Sequence, residues 1–160
     1  MSAEALLAAA RARGVMLATA ESCTGGLIAV ALTAVPGSSD VFDRGFVTYS
    51  NAAKIEMLGI CPDTLASVGA VSEEIAAEMA QGALARSDAQ VAVSVTGIAG
   101  PGGSGHKPEG RVCFGLATDG GCRTETVEFG ARGRDAVRQA TVDHALALLR
   151  AAVDSFPPKT

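Results

Sequence analysis

The chain has no tryptophan, one tyrosine and five phenylalanines among its 160 residues. A core without large rings has to be packed from alanine and branched aliphatics. No run of 18 apolar residues occurs, which excludes a transmembrane helix. Histidine is nearly missing, with only His106 and His144. The four cysteines, at positions 23, 61, 113 and 122, form no C-x-x-C pair. Those absences argue against a structural zinc site and against a secreted disulfide framework. Positive excess is also lacking, since the net charge is −4. A nucleic-acid or anionic-membrane surface is therefore not its main business. A phosphorylated small ligand is still compatible, because it needs only a local cluster of donors. The arginines of MSAEALLAAARARG follow the apolar stretch, the reverse of a signal peptide. A reduced, cytoplasmic protein is the expectation.

What is present suits one globular domain, with 48% hydrophobic and 19% charged residues. Its expected limits are residues 1–155, with 156–160 as a frayed tail. Ser2 and Gly14 frame a first helix, and VMLATA at 15–20 reads as a buried strand. ESCTGG then leads into a small-residue helix that ends before Pro36-Gly37. FVTY at 46–49 is a second strand, and Ser50 caps a helix that Gly59 closes. A turn around Pro62 precedes a helix from Ser72 to Arg86. QVAVSVT at 90–96 is a third strand, followed by the glycine-rich GIAGPGGSGHKPEG. Strands at 111–118 and 123–129 meet at Asp119-Gly120-Gly121, a hairpin signal. The last helix runs from about Arg134 to Val153. Helices between the first three strands require parallel crossovers, and the hairpin adds an antiparallel strand. The expected fold is a three-layer α/β/α sandwich on a mixed, mostly parallel sheet of about five strands.

In such a sheet ligands bind beyond the carboxyl ends of the strands. ESCTGG, TYSNAAK and TGIAGPGGSG all reach that edge. Ser22 would stand exposed on a turn, as a nucleophile must, or it simply caps a helix. Thr24, Gly25 and Gly26 would offer N–H groups to an oxyanion or other anion. Cys23 competes as nucleophile, although a cysteine there is equally a small buried hydrophobe. Lys54 falls in the first turn of a helix, where the dipole disfavours a cation. The same field lowers a lysine pKa, as a lysine base requires; the plain alternative is a solvated lysine. Thr96, Gly97, Gly100, Gly102 and Gly103 allow backbone to approach a ligand. Arg134 and Arg138, one turn apart, suit a phosphate clamp or a solvated face. Walker A, G-x-G-x-x-G and G-x-S-x-G patterns are all absent.

Taken together, AESCTGG at 20–26, TYSNAAK at 48–54, VTGIAGPGG at 95–103 and KPEGRV at 107–112 resemble the signature blocks of the CinA family. The likeness is to its C-terminal domain, in the stand-alone amidohydrolase form, and covers nearly the whole chain. It implies a five-stranded three-layer sandwich with the fourth strand antiparallel. It also implies an amidase converting nicotinamide mononucleotide to nicotinic acid mononucleotide and ammonia. Carried over by motif, the nucleophile is Ser22, the base Lys54 and the assisting tyrosine Tyr49. Arg134 aligns with an arginine before the last helix, and Glu109 stands where the family often has a small or apolar residue. No metal and no cofactor are implied. The other readings are a non-catalytic nucleotide-binding module and a partner protein linked to competence or DNA damage. Small apolar helices also leave room for a homo-oligomer.

Overall fold

A computed structural model describes residues 2–160. Helix α1 (Ala3–Arg13) starts where the Ser2 side chain accepts the Ala5 N–H and stops at left-handed Gly14. Strand β1 (Leu17–Glu21), helix α2 (Leu27–Thr33) and strand β2 (Phe42–Val47) follow. Three helices come next: α3 (Asn51–Leu58), α4 (Pro62–Val68) and α5 (Glu73–Ala85). Strands β3 (Val91–Gly97), β4 (Arg111–Thr118) and β5 (Gly121–Glu128) lead into α6 (Arg134–Asp154).

The sheet order is β2-β1-β3-β4-β5, with β1 parallel to both β2 and β3, and β4 antiparallel to its two neighbours. After β1 the chain crosses to one side, and after β2 it returns to the other. The crevice at the carboxyl end of β1 is therefore the topological switch point, the place where open α/β sheets bind ligands. β5 runs in the same direction as β1, so α6 also begins at that edge.

Alternation along the strands sorts the two core layers. Leu17, Val91, Val93 and Val95 face α1, α2 and α6. Ala18, Ala20 and Ala92 face α3, α4 and α5. The second layer is thin because both sides are small. Ser94 Oγ donates to the Ala76 carbonyl of α5 at 2.5 Å, and a Cβ on Gly115 would collide with that same carbonyl. The missing tryptophan is thus matched by helix-to-sheet contact too close for one.

The α/β/α sandwich and its hairpin agree with the sequence expectation. Three details differ. Residues around Pro62 form α4 rather than a turn, because Pro62 sits in the first helical turn, where a missing N–H costs nothing. β2 lies at 42–47 rather than 46–49, since Gly45 and polar Asp43 and Arg44 hid an edge strand. The tail is tied down: Phe156 packs on the core, its carbonyl accepts from Arg13 Nε at 3.0 Å, and the Lys159 N–H donates to Ala12 at 3.1 Å. No helix among the described residues is long and apolar enough to cross a membrane.

Gly82 tests the close packing. In an open helix Gly→Ala stabilises by about 1 kcal/mol. Here the new Cβ would press into the Leu58 carbonyl of α3. Gly82→Ala is expected to destabilise instead, by about 1–3 kcal/mol, read as a lowered denaturant midpoint at unchanged m.

Candidate active site

The two central ladders continue past the strand ends. The Ser22 N–H donates to Val95 at 3.1 Å, and the Thr48 N–H donates to Glu21 at 2.9 Å. Ser22 and Thr48 are thereby fixed on either side of the crevice. Ser50 then caps α3, its side chain accepting the Ala53 N–H at 3.0 Å. Lys54 lies one turn into that helix, and helical side chains lean back towards the N-terminus. The lysine accordingly runs inward, with 2% of its surface exposed. Its Nζ lies 2.9 Å from the Thr48 carbonyl and 3.2 Å from Ser22 Oγ.

No carboxylate pairs with this amine among the described residues. Burial pushes the Lys54 pKa below the ordinary lysine value. A Cys23 thiolate would push it back up, but the thiol is itself pushed up to about 11, chiefly by burial. At neutral pH Cys23 is a neutral, buried thiol, and the lysine keeps its depression. Ser22, partly exposed, is the hydroxyl this amine touches.

The ESCTGG turn is held from both sides at Thr24. The fully buried Glu21 carboxyl accepts from Thr24 Oγ1 at 2.5 Å, and from the Ile28 and Ala29 N–H groups at 2.9 and 3.0 Å. Arg138 Nη2 donates to the Thr24 carbonyl at 3.1 Å. Gly25 and Leu27 spend their N–H groups inside the turn, on Ser22 and Thr24. Among the described residues, the N–H groups of Cys23, Thr24 and Gly26 have no protein acceptor. Of the Thr24, Gly25 and Gly26 N–H groups named from the sequence, that of Gly25 is spent on the Ser22 carbonyl, and the Cys23 N–H joins those without an acceptor.

Tyr49 is 58% exposed. Its hydroxyl accepts from Arg134 Nη2 at 2.6 Å, while Arg134 Nη1 donates to the Gly100 carbonyl at 2.7 Å. One guanidinium therefore joins the second motif, the glycine loop and the start of α6. Lys54 reaches Ser22 directly, with no tyrosine between them. Thr96 is buried, and its hydroxyl donates to Ala70 at 2.9 Å. Gly97 and Gly103 have no room for a Cβ, being pressed against Val112 and the Lys107 carbonyl. Gly100 and Gly102 take positive φ; the Gly102 N–H is bound by Glu109 at 2.6 Å, whose other oxygen accepts from the Gly133 N–H at 3.3 Å. These contacts shape the loop. A cavity of about 460 Å³ adjoins the edge between Asn51, Val71, Ile98 and the loop tip at Ser104–Lys107. Another, of about 300 Å³, lies over the middle of β4 and β5, away from the strand ends.

Sequence reasoning missed Glu21 and the bond of Arg138 to the ESCTGG turn, having offered Arg138 as half of a phosphate clamp or part of a solvated face. The signal for Glu21 was an acid closing an otherwise apolar strand just before a helix start, where its carboxyl can satisfy helix N–H groups. No group of three or more His, Cys, Asp or Glu suited to a metal exists among the described residues.

These features define an α/β/α sandwich protein with a serine–lysine pair at its switch point. The chain belongs to the CinA C-terminal domain family, whose model matches residues 1–153. It is 57% identical over 138 residues to a protein from Enterobacter agglomerans named nicotinamide-nucleotide amidohydrolase PncC, covering 84% of each. The protein of that name from Escherichia coli K12 is 51% identical, over 88% of this chain and 86% of that one. A CinA-like protein from Chlorobium phaeobacteroides is 61% identical over 124 residues, but only 30% of its length is matched. The chain likewise spans 34% and 26% of two further CinA-type relatives, so it corresponds to about a third of these longer proteins. The crystal structure of a competence/damage inducible protein from Agrobacterium tumefaciens superposes with a TM-score of 0.91 at 50% identity, covering 96% of this chain and 93% of that one.

The cysteines give a direct check on the electrostatics. Cys61 is exposed, and hydrogen bonds from Thr64 and Asp63 pull its pKa down. Brief iodoacetamide treatment at pH 7.5 should alkylate Cys61 and spare Cys23, read by peptide mass spectrometry. Fast labelling of Cys23 would refute the neutral, buried thiol.

Proposed function

We propose that the chain hydrolyses the carboxamide of nicotinamide mononucleotide, giving nicotinic acid mononucleotide and ammonia, with Ser22 as nucleophile and Lys54 as base. The observation that carries the mechanism is the buried Lys54 Nζ at 3.2 Å from Ser22 Oγ. The substrate follows from the amidohydrolase name of two relatives matched along most of both chains.

A neutral Lys54 amine keeps one N–H on the Thr48 carbonyl and turns its lone pair to the Ser22 hydroxyl. It takes that proton as Ser22 Oγ bonds to the carboxamide carbon. The carbonyl oxygen gains the electron pair and is received by the N–H groups of Cys23 and Gly26. When the tetrahedral species collapses, the C–N bond breaks and Lys54 gives its proton to the departing amine, releasing ammonia. Water, deprotonated by the same lysine, then cleaves the ester and restores Ser22. The pyridinium ring assists twice: it makes the amide more electrophilic, and its charge opposes protonation of Lys54. Tyr49 and Arg134, joined on the exposed rim, meet the substrate rather than relay the proton.

Ammonia release should be seen with the mononucleotide and be much weaker with free nicotinamide, because remote binding energy positions the amide. Equal kcat/KM for both would refute that preference. Ser22→Ala should lose nearly all turnover while folding normally, and Cys23→Ala should keep most of it.

The base must be neutral, so kcat should climb with pH through a Lys54 pKa below the ordinary lysine value. Protonation on the acid side removes activity. Lys54→Arg keeps a cation that never deprotonates and should be as inactive as Lys54→Met. Near-normal turnover in Lys54→Arg would leave the position supplying charge alone, and the serine–lysine mechanism would fall.

A further inference from the structure

We propose that Glu21 is a positioning residue for the reaction: its buried carboxyl sets the oxyanion donors beside Ser22. The inference rests on the serine hydrolase reading above. It begins from an unusual cap. The N-cap of α2 is Gly26, which has no side chain to accept a helix N–H. Thr24, two residues earlier, does not replace it and donates its hydroxyl to Glu21 at 2.5 Å. Glu21 takes over the cap, accepting from Ile28 at 2.9 Å and Ala29 at 3.0 Å.

Two consequences follow for the reacting centre. First, the helix N–H groups that would compete for an anion are already filled, so the unfilled ones on residues that keep some exposure are those of Cys23 and Gly26, close to the nucleophile. Second, Thr24 is fully buried and gripped at two points, by Glu21 at its hydroxyl and by Arg138 at its carbonyl. The Ser22 carbonyl, in the peptide that carries the Cys23 N–H, accepts the Gly25 N–H at 3.0 Å, so with Thr24 anchored the turn has little freedom to rotate that plane. Donors fixed before reaction need no reorganisation when the negative charge forms, which is what gives an oxyanion hole its effect. Glu21 touches neither substrate nor Ser22 Oγ; it acts through Thr24.

Glu21→Gln isolates this role. The amide matches the carboxyl in size and keeps one acceptor for Thr24 or Ile28. Its NH₂ then faces a helix N–H, donor against donor. Thr24→Val, of equal shape, removes the other end of the same bond. Each variant is checked for folding by circular dichroism and gel filtration, then measured for kcat and KM with nicotinamide mononucleotide. Labelling by a fluorophosphonate is followed alongside. In that step Ser22 Oγ bonds to phosphorus, fluoride leaves, Lys54 takes the hydroxyl proton, and the phosphoryl oxygen fills the oxyanion position.

Glu21→Gln should lower kcat about 10- to 100-fold with KM within about threefold, and slow labelling to a similar degree. Thr24→Val should behave alike but more mildly. A purely structural role would lower the folded fraction and leave both rates unchanged per folded molecule. Rates within about twofold of the parent in the folded variants, or a loss confined to KM, would overturn the proposal. If Glu21→Gln does not fold, Thr24→Val decides by the same criteria. If the parent labels at Ser22 but releases no ammonia, the substrate reading fails; slowed labelling of the variants would still uphold the role of Glu21.

Discussion

The constraint on which the site depends is the burial of one amine. Lys54 is enclosed at the end of the sheet with only neutral oxygens for company, the Thr48 carbonyl and the Ser22 hydroxyl. An isolated ammonium in such a place is costly, and the group responds by favouring its neutral form. A carboxylate within reach would have undone this by pairing with the cation. The nearby acid, Glu21, is turned away and engaged by Thr24 and the start of α2. Lys54 and Glu21 are kept on separate hydrogen-bond networks, and that separation leaves the lysine without an acidic partner.

The topology explains why the parts meet. β1, β2, β3 and β5 all end at the same edge. The segment after β1 brings Ser22, and the one after β2 brings Lys54 and Tyr49. The segment after β3 brings the glycine loop, and the one after β5 brings two arginines. Arg134 and Arg138 then stitch the arrangement across the edge, one holding Tyr49 and Gly100, the other holding Thr24. Small residues on the opposite sheet face let α5 sit close, and α3 packs against α5 at Gly82.

Much of this was legible in the sequence. Caps at Ser2, Ser50 and Ser72 and stops at Gly14 and Gly59 fell where expected, because capping chemistry is local. The strand-end position of ESCTGG followed from the same local rules, whereas Lys54 read equally as a solvated lysine, and its burial depends on packing that the sequence did not show. What was not legible depended on tertiary partners. The close packing of Gly97 and Gly103 and the hold of Glu109 on the Gly102 N–H involve residues distant in the chain. So do the bonds of Arg134 to Tyr49 and Gly100 and of Arg138 to Thr24, while Arg138 Nε stays without a partner. Spacing cannot tell which donors of such a pair bind protein oxygens and which are left for a ligand.

The choice of serine over the adjacent cysteine follows from the same geometry. A thiol near a helix N-terminus ordinarily becomes acidic and reactive. Here Glu21 occupies the helix terminus that would have produced that effect, and its charge raises the Cys23 pKa further on top of burial. Lys54 Nζ makes its hydrogen bonds to Ser22 Oγ and the Thr48 carbonyl, and none to Cys23. In the proposed reaction the intrinsically better nucleophile is thus left protonated and enclosed, while the weaker one is partly exposed and has the amine beside it. On that proposal, reactivity at this edge is set by which side chain Lys54 touches, and the capping of α2 by Glu21 removes the competitor.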